Sequence, residues 1–83
     1  MSKVIIRHVS DQLLVERLVS DIPSDEQIEV SLGIPDSIIF ARLIEVNDSV
    51  DNALQLSDIV ALHVDPCGVN ISVRQGLLSY VNG

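Results

Sequence analysis

Apolar residues along the chain gather in short runs separated by polar and turn-forming residues. Val4-Ile5-Ile6 is a β-branched run and predicts a first strand. Residues 38–46, with Ile38, Ile39, Phe40, Leu43, Ile44 and Val46, predict a longer one. Asn47-Asp48-Ser49 then marks a turn. The run from Ile59 to Val64 predicts a buried strand, and Asp65-Pro66-Cys67-Gly68 a second turn. Val69, Ile71 and Val73 alternate with Asn70 and Ser72, the pattern of a strand with one wet face. Gly76 precedes a last apolar run, Leu77-Leu78-Ser79-Tyr80-Val81. Short strands set off by regular turn signals predict an all-β domain, a small barrel or sandwich.

Two segments read differently. In residues 12–19, Leu13, Val15 and Arg17 alternate with Leu14, Glu16 and Leu18, as in a strand buried on both faces. Leu14 and Leu18 also stand four apart, as on a helix, and Asp11 could cap one. Residue 14 is Leu, so a capping box is absent, and these residues alone leave strand and helix both open. Residues 20–37 hold two loop compositions, Ser20-Asp21-Ile22-Pro23-Ser24-Asp25-Glu26 and Gly33-Ile34-Pro35-Asp36-Ser37. Between them Ile28-Glu29-Val30-Ser31-Leu32 alternates with period two. It reads either as a short hairpin strand or as a recognition segment that orders on binding.

With 83 residues, the chain is expected to form one domain, residues 1–83. A domain of this size buries only roughly 60–65% of its unfolded surface, so sharing apolar surface between copies would help it. Its hydrophobic content of 47% is almost wholly aliphatic, with one Tyr, one Phe and no Trp. The net charge of −7, from 12 acids and 5 bases, argues against nucleic-acid binding, which needs cations for phosphates and aromatic rings for bases. The same acidity argues against anionic membranes. Cys67 is the single cysteine, so no intramolecular disulfide can form, in keeping with a reducing, cytoplasmic setting. The apolar run at the N-terminus is too short for a signal peptide or a membrane span.

Candidate chemistry is sparse. His63 and Cys67 stand four apart, but a metal site needs three or four ligands, and the other histidine is the distant His8. A strand histidine and a small core thiol is the expected reading, with no metal and no cofactor. The serines lie in no Gly-x-Ser-x-Gly elbow, and the glycines at 33, 68, 76 and 83 form no phosphate loop. Scattered acids read as solvated loop charge. No catalytic residue is assigned, and the chain is expected to be a binding protein and not an enzyme.

The order of segments resembles the GroES co-chaperonin family over nearly the whole chain. Residues 6–17, with Ile6, Arg7, Asp11 and Arg17, match the spacing of that family's opening strand. Residues 20–37 stand where the family has its mobile loop, with Ile28-Glu29-Val30 at the apolar tripeptide that docks on the chaperonin. Ala41-Arg42-Leu43-Ile44-Glu45-Val46-Asn47 is similar to the strand that follows. Leu56-Ser57-Asp58-Ile59-Val60 is similar to the family's Val-Gly-Asp-Ile-Val segment, and residues 76–81 to its closing strand. Departures are His8 for the family's proline, Glu26-Gln27 for its paired glycines, Glu29 for the central apolar residue and Ser57 for a glycine. Residues 47–55 are shorter than the family's roof hairpin, and the stretch from Val64 to Ile71 is trimmed too.

The resemblance implies a small GroES-like β-barrel with a flexible loop near residues 20–37 and a shortened or absent roof hairpin, of the kind some bacteriophages carry. It turns residues 12–19 into strand. It implies a homo-oligomer, a heptameric ring, that caps a GroEL-type chaperonin in a nucleotide-dependent way around an unfolded client in the bacterial cytosol or a phage-infected cell. The docking segment would be Ile28, Glu29, Val30, Ser31 and Leu32. The subunit interface would pair Val4, Ile5 and Ile6 with a neighbour's Leu77, Leu78, Tyr80 and Val81. Two other readings stand beside it: an acidic inhibitor that mimics nucleic acid, and a β-barrel oligomeric scaffold with no chaperonin partner.

Overall fold

A computed structural model describes residues 1–24, 26–33, 37–46, 54–64 and 68–82. Strands β1 (Ser2–His8), β2 (Leu13–Leu18), β3 (Ile28–Val30), β4 (Ser37–Glu45), β5 (Leu54–Val64), β6 (Val69–Arg74) and β7 (Leu77–Asn82) make up most of it. Among the described residues the one helical element is a 3-10 turn at Val19–Asp21. The chain is therefore all-β. Its ladders form two antiparallel sheets, β2-β1-β4-β5 and β3-β6-β7, and the described ladders do not close into a single barrel.

Alternation fixes the inward face of each strand. Val4 and Ile6 of β1 and Ile39, Ala41 and Leu43 of β4 point inward from the larger sheet and are fully buried or nearly so. Val69 and Ile71 of β6 and Ile28 and Val30 of β3 meet them from the smaller sheet. Leu14, Val15, Ile59, Val73 and Leu78 pack at the margin of this aliphatic core.

Residues 12–19 resolve as β2, and a bulge explains their mixed pattern. Ile6 registers with Val15 and Arg7 with Leu13, so Leu14 is an extra residue on the β2 side. That extra residue lets the adjacent Leu14 and Val15 both reach the core, which strict alternation would forbid. The same device shapes β5, which starts earlier than its apolar run suggests. Its 11 residues lie against 9 of β4. The surplus is taken up at two irregularities, between Ile39 and Ala41 and between Leu43 and Ile44 on the β4 side. Bulges bend the strand that carries them. β5 thereby meets β7, where Ser57 Oγ accepts the backbone N–H of Leu78 at 3.1 Å and the two sheets abut.

The loop expected near residues 20–37 is in part regular structure, the 3-10 turn and β3. The shortened roof is expected at residues 47–55; of these, 47–53 lie outside the described residues, as do the turn at Asn47-Asp48-Ser49 and Cys67, while Leu54 and Gln55 begin β5.

Two turn positions carry positive φ for identifiable reasons. Gln75 and Gly76, with φ of 53° and 74°, link the registered pair Arg74 and Leu77, the signature of a two-residue type I′ hairpin. Gly68 has φ of 88°, and a Cβ there would lie 2.7 Å from the carbonyl oxygen of Val30. Gly68→Ala is expected to cost about 1–3 kcal/mol in chemical denaturation, because a backbone atom of β3 must move. Gln75→Asn is expected to stabilise by about 0.5–1 kcal/mol, since Asn tolerates the left-handed region better, raising Tm by about 2–5 °C.

Candidate functional site

The expected docking segment is built as a three-residue edge strand. Ile28, Glu29 and Val30 register with Ile71, Asn70 and Val69 of β6. Alternation sends Ile28 and Val30 into the core, each 5% exposed, and leaves Glu29 outside. Ser31 is exposed, and Leu32 is half-buried against the core. Docking through Ile28 and Val30 as side chains of an open loop therefore does not fit this structure, because both complete the monomer's own core.

The arm leading into β3 is clasped by Arg17 of β2. Its Nη1 donates to Glu26 Oε1 at 2.6 Å, and its Nη2 donates to the carbonyl oxygen of Asp21 at 3.0 Å. One guanidinium thus ties both ends of residues 21–26 to the larger sheet. The hydrogen bond to Glu26 is the main influence raising the Arg17 pKa above its ordinary value. Partial burial opposes this, and the charges of Glu26 and Asp21 reinforce it. Glu26-Gln27 stands where the family has paired glycines, a departure that counts against a flexible hinge, and Glu26 is there engaged in an ion pair with Arg17. Arg17 is one of the residues that carried the family resemblance, but its tie to Glu26 has no signature in local sequence.

The expected interface residues divide. Val4 and Ile6 are fully buried, and Ile5 is half-buried. Lys3, Val4, Ile5 and Ile6 each register with β2 on one side and β4 on the other. β1 therefore has no edge to offer a neighbour, and the expected pairing of β1 with a neighbour's last strand does not fit. At the other end, β7 is an edge strand. Leu78 packs inward, while Leu77, Tyr80 and Val81 are 58%, 48% and 60% exposed. Such an edge invites another strand. β2 is an edge of the larger sheet, paired on one side, with Leu13 exposed.

His63 is exposed on β5. Among the described residues no group of three His, Cys, Asp or Glu is placed to hold a metal ion, and no helix is long and apolar enough to cross a membrane. Compared with protein-family models, curated proteins and solved structures, the chain matches none.

Glu26→Gln removes the charge from the clasp but leaves the ladder to β6 intact. Hydrogen exchange of the amides in β3 is expected to accelerate by a small factor, about 2- to 5-fold, with β1 and β4 unchanged. Uniform acceleration across both sheets would contradict a local clasp.

Proposed function

We propose that this chain is a co-chaperonin-type subunit that caps a GroEL-type chaperonin ring in a nucleotide-dependent way, acts in the cytoplasm and does no chemistry of its own. The observation that carries the reading is the position of β3. This strand stands where the family resemblance puts the docking tripeptide, and it is attached to one neighbouring strand only. It can leave β6 without breaking any ladder of the larger sheet or the pairing of β6 with β7. Docking is then strand release: Ile28 and Val30 exchange the monomer's core for an apolar groove on the chaperonin.

The energetics favour a weak individual contact. Each aliphatic side chain withdrawn from the core forfeits roughly 1.5–3 kcal/mol and regains a similar amount on docking. One segment supplies little net affinity. Several on one ring raise it by about 10²–10⁴ through effective concentration. Release needs only a small change per groove.

Ring closure needs a head-to-tail contact between unlike edges. With β1 paired on both sides, the contact joins the exposed Leu77, Tyr80 and Val81 of β7 to the β2 edge of the next copy, where Leu13 is exposed.

A second reading, a β-rich oligomeric scaffold with no chaperonin partner, is favoured by the burial of Ile28 and Val30. The two separate cleanly. Glu29 and Asn70 are directly paired across β3 and β6 and lie outside the core. Cysteines at both positions, in a Cys67→Ser background, can lock the strand. The reduced protein is expected to cap a chaperonin ring with ATP on a native gel, and the oxidised protein to fail. Equal capping in both states contradicts strand release. No capping by the unmodified chain leaves the scaffold.

Ile28→Ser is expected to lower stability by about 2–4 kcal/mol, as a core truncation that also buries a hydroxyl. A loss of capping in that variant would therefore not by itself locate the docking segment.

A further inference from the structure

On the outward face of the larger sheet lies a groove of about 460 Å³, unrelated to β3 or β7. Its floor is Ile5 of β1 with Phe40 and Ile44 of β4, all half-buried. Two guanidinium groups stand in it, Arg7 and Arg42, together with His8 and the carboxylates of Asp11 and Asp58. Register places them as a diagonal pair: Ile5 faces Arg42, and Arg7 faces Phe40. Diagonal neighbours in an antiparallel ladder sit about 7–8 Å apart. Two cations and two apolar side chains thus form one four-cornered patch.

This composition is unusual for the chain. It has 5 Lys and Arg in all and a single Phe, and the patch holds two of the former and the latter. The phenylalanine is on the outer face of the sheet and outside the buried core.

Neither guanidinium is tightly engaged. Arg42 meets Asp58 through Nε and Nη2, both at 3.4 Å, longer than a strong charge-assisted hydrogen bond. Arg7 Nη1 donates to the carbonyl oxygen of Asp11 at 3.0 Å, and its nearest approach to that residue's carboxylate is 4.0 Å. Each guanidinium has five donors, so both keep capacity for a ligand.

We infer that this groove binds a small organic anion, with a carboxylate or sulfonate head held between Arg7 and Arg42 and an apolar body laid over Ile5, Phe40 and Ile44. An anion entering the groove competes with Asp11 and Asp58 for the two guanidiniums, and it can do so because both existing contacts are long. The apolar floor loses water to the ligand's body, the usual division of labour in a small-molecule site. Acids farther than about 8 Å are largely screened at physiological salt, so the local opposition comes from Asp11 and Asp58, at 4.0 and 3.4 Å from the guanidiniums. The inference is independent of the chaperonin reading.

The test titrates the full chain with 8-anilinonaphthalene-1-sulfonate and with decanoate, using N-phenyl-1-naphthylamine as the uncharged counterpart. Saturable one-to-one binding of both anions is expected, with NMR shifts confined to Ile5, Phe40, Ile44 and their neighbours. Arg7→Gln and Arg42→Gln should each weaken anion binding by about tenfold or more and leave the uncharged probe unaffected. Asp58→Asn releases Arg42 and should tighten anion binding by about 2- to 5-fold, a direction that damage to the fold cannot produce. Affinity indifferent to Arg7 and Arg42, shifts located on β7, absence of binding, or a groove covered by a second copy in solution would each overturn the inference.

Discussion

Burial of Ile28 and Val30 against β6 is the contact on which the rest of this molecule turns. With hardly any aromatic side chains, the core between the sheets is closed by aliphatic groups, and β3 supplies two of them. A three-residue strand cannot hold itself in place. It is kept by its ladder to β6, by the clasp from Arg17 to Glu26 and by Gly68, whose missing side chain makes room for the Val30 carbonyl. Each of these ties is local to β3 and its flanks.

Bulges matter as much as ladders here. The extra residue in β2 brings Leu14 and Val15 to the core together, and the surplus in β5 bends that strand until Ser57 receives the Leu78 N–H. A flat four-stranded sheet would leave β7 remote and the core open. The two sheets meet where β5 lies against β7.

Much of this architecture was legible in the order of residues. The strands at 38–46, 59–64 and 77–81 follow from apolar runs bounded by turn chemistry, and the strand at 69–73 from its period of two. The choice between strand and helix at 12–19 was not legible from Leu14 and Leu18, since a bulge mimics the helical spacing by shifting one residue. The fate of Ile28 and Val30 depended on a long-range pairing with β6 that no local pattern encodes. The saturation of β1 on both edges is a fact of sheet order and likewise has no local signature. The groove shows the same limit. Phe40, Arg42 and Ile44 alternate with the buried Ile39, Ala41 and Leu43, so one outward face could be foreseen. That Arg7 would stand diagonally from Arg42 required the register of β1 against β4.

The most direct test of the central claim is site-resolved hydrogen exchange on the assembled protein, alone and with a GroEL-type chaperonin and ATP. Strand release predicts that the β6 amides at Val69–Ile71 lose protection when the complex forms, while β1 and β4 keep theirs. A complex that forms with the pairing of β3 and β6 fully protected would contradict the account.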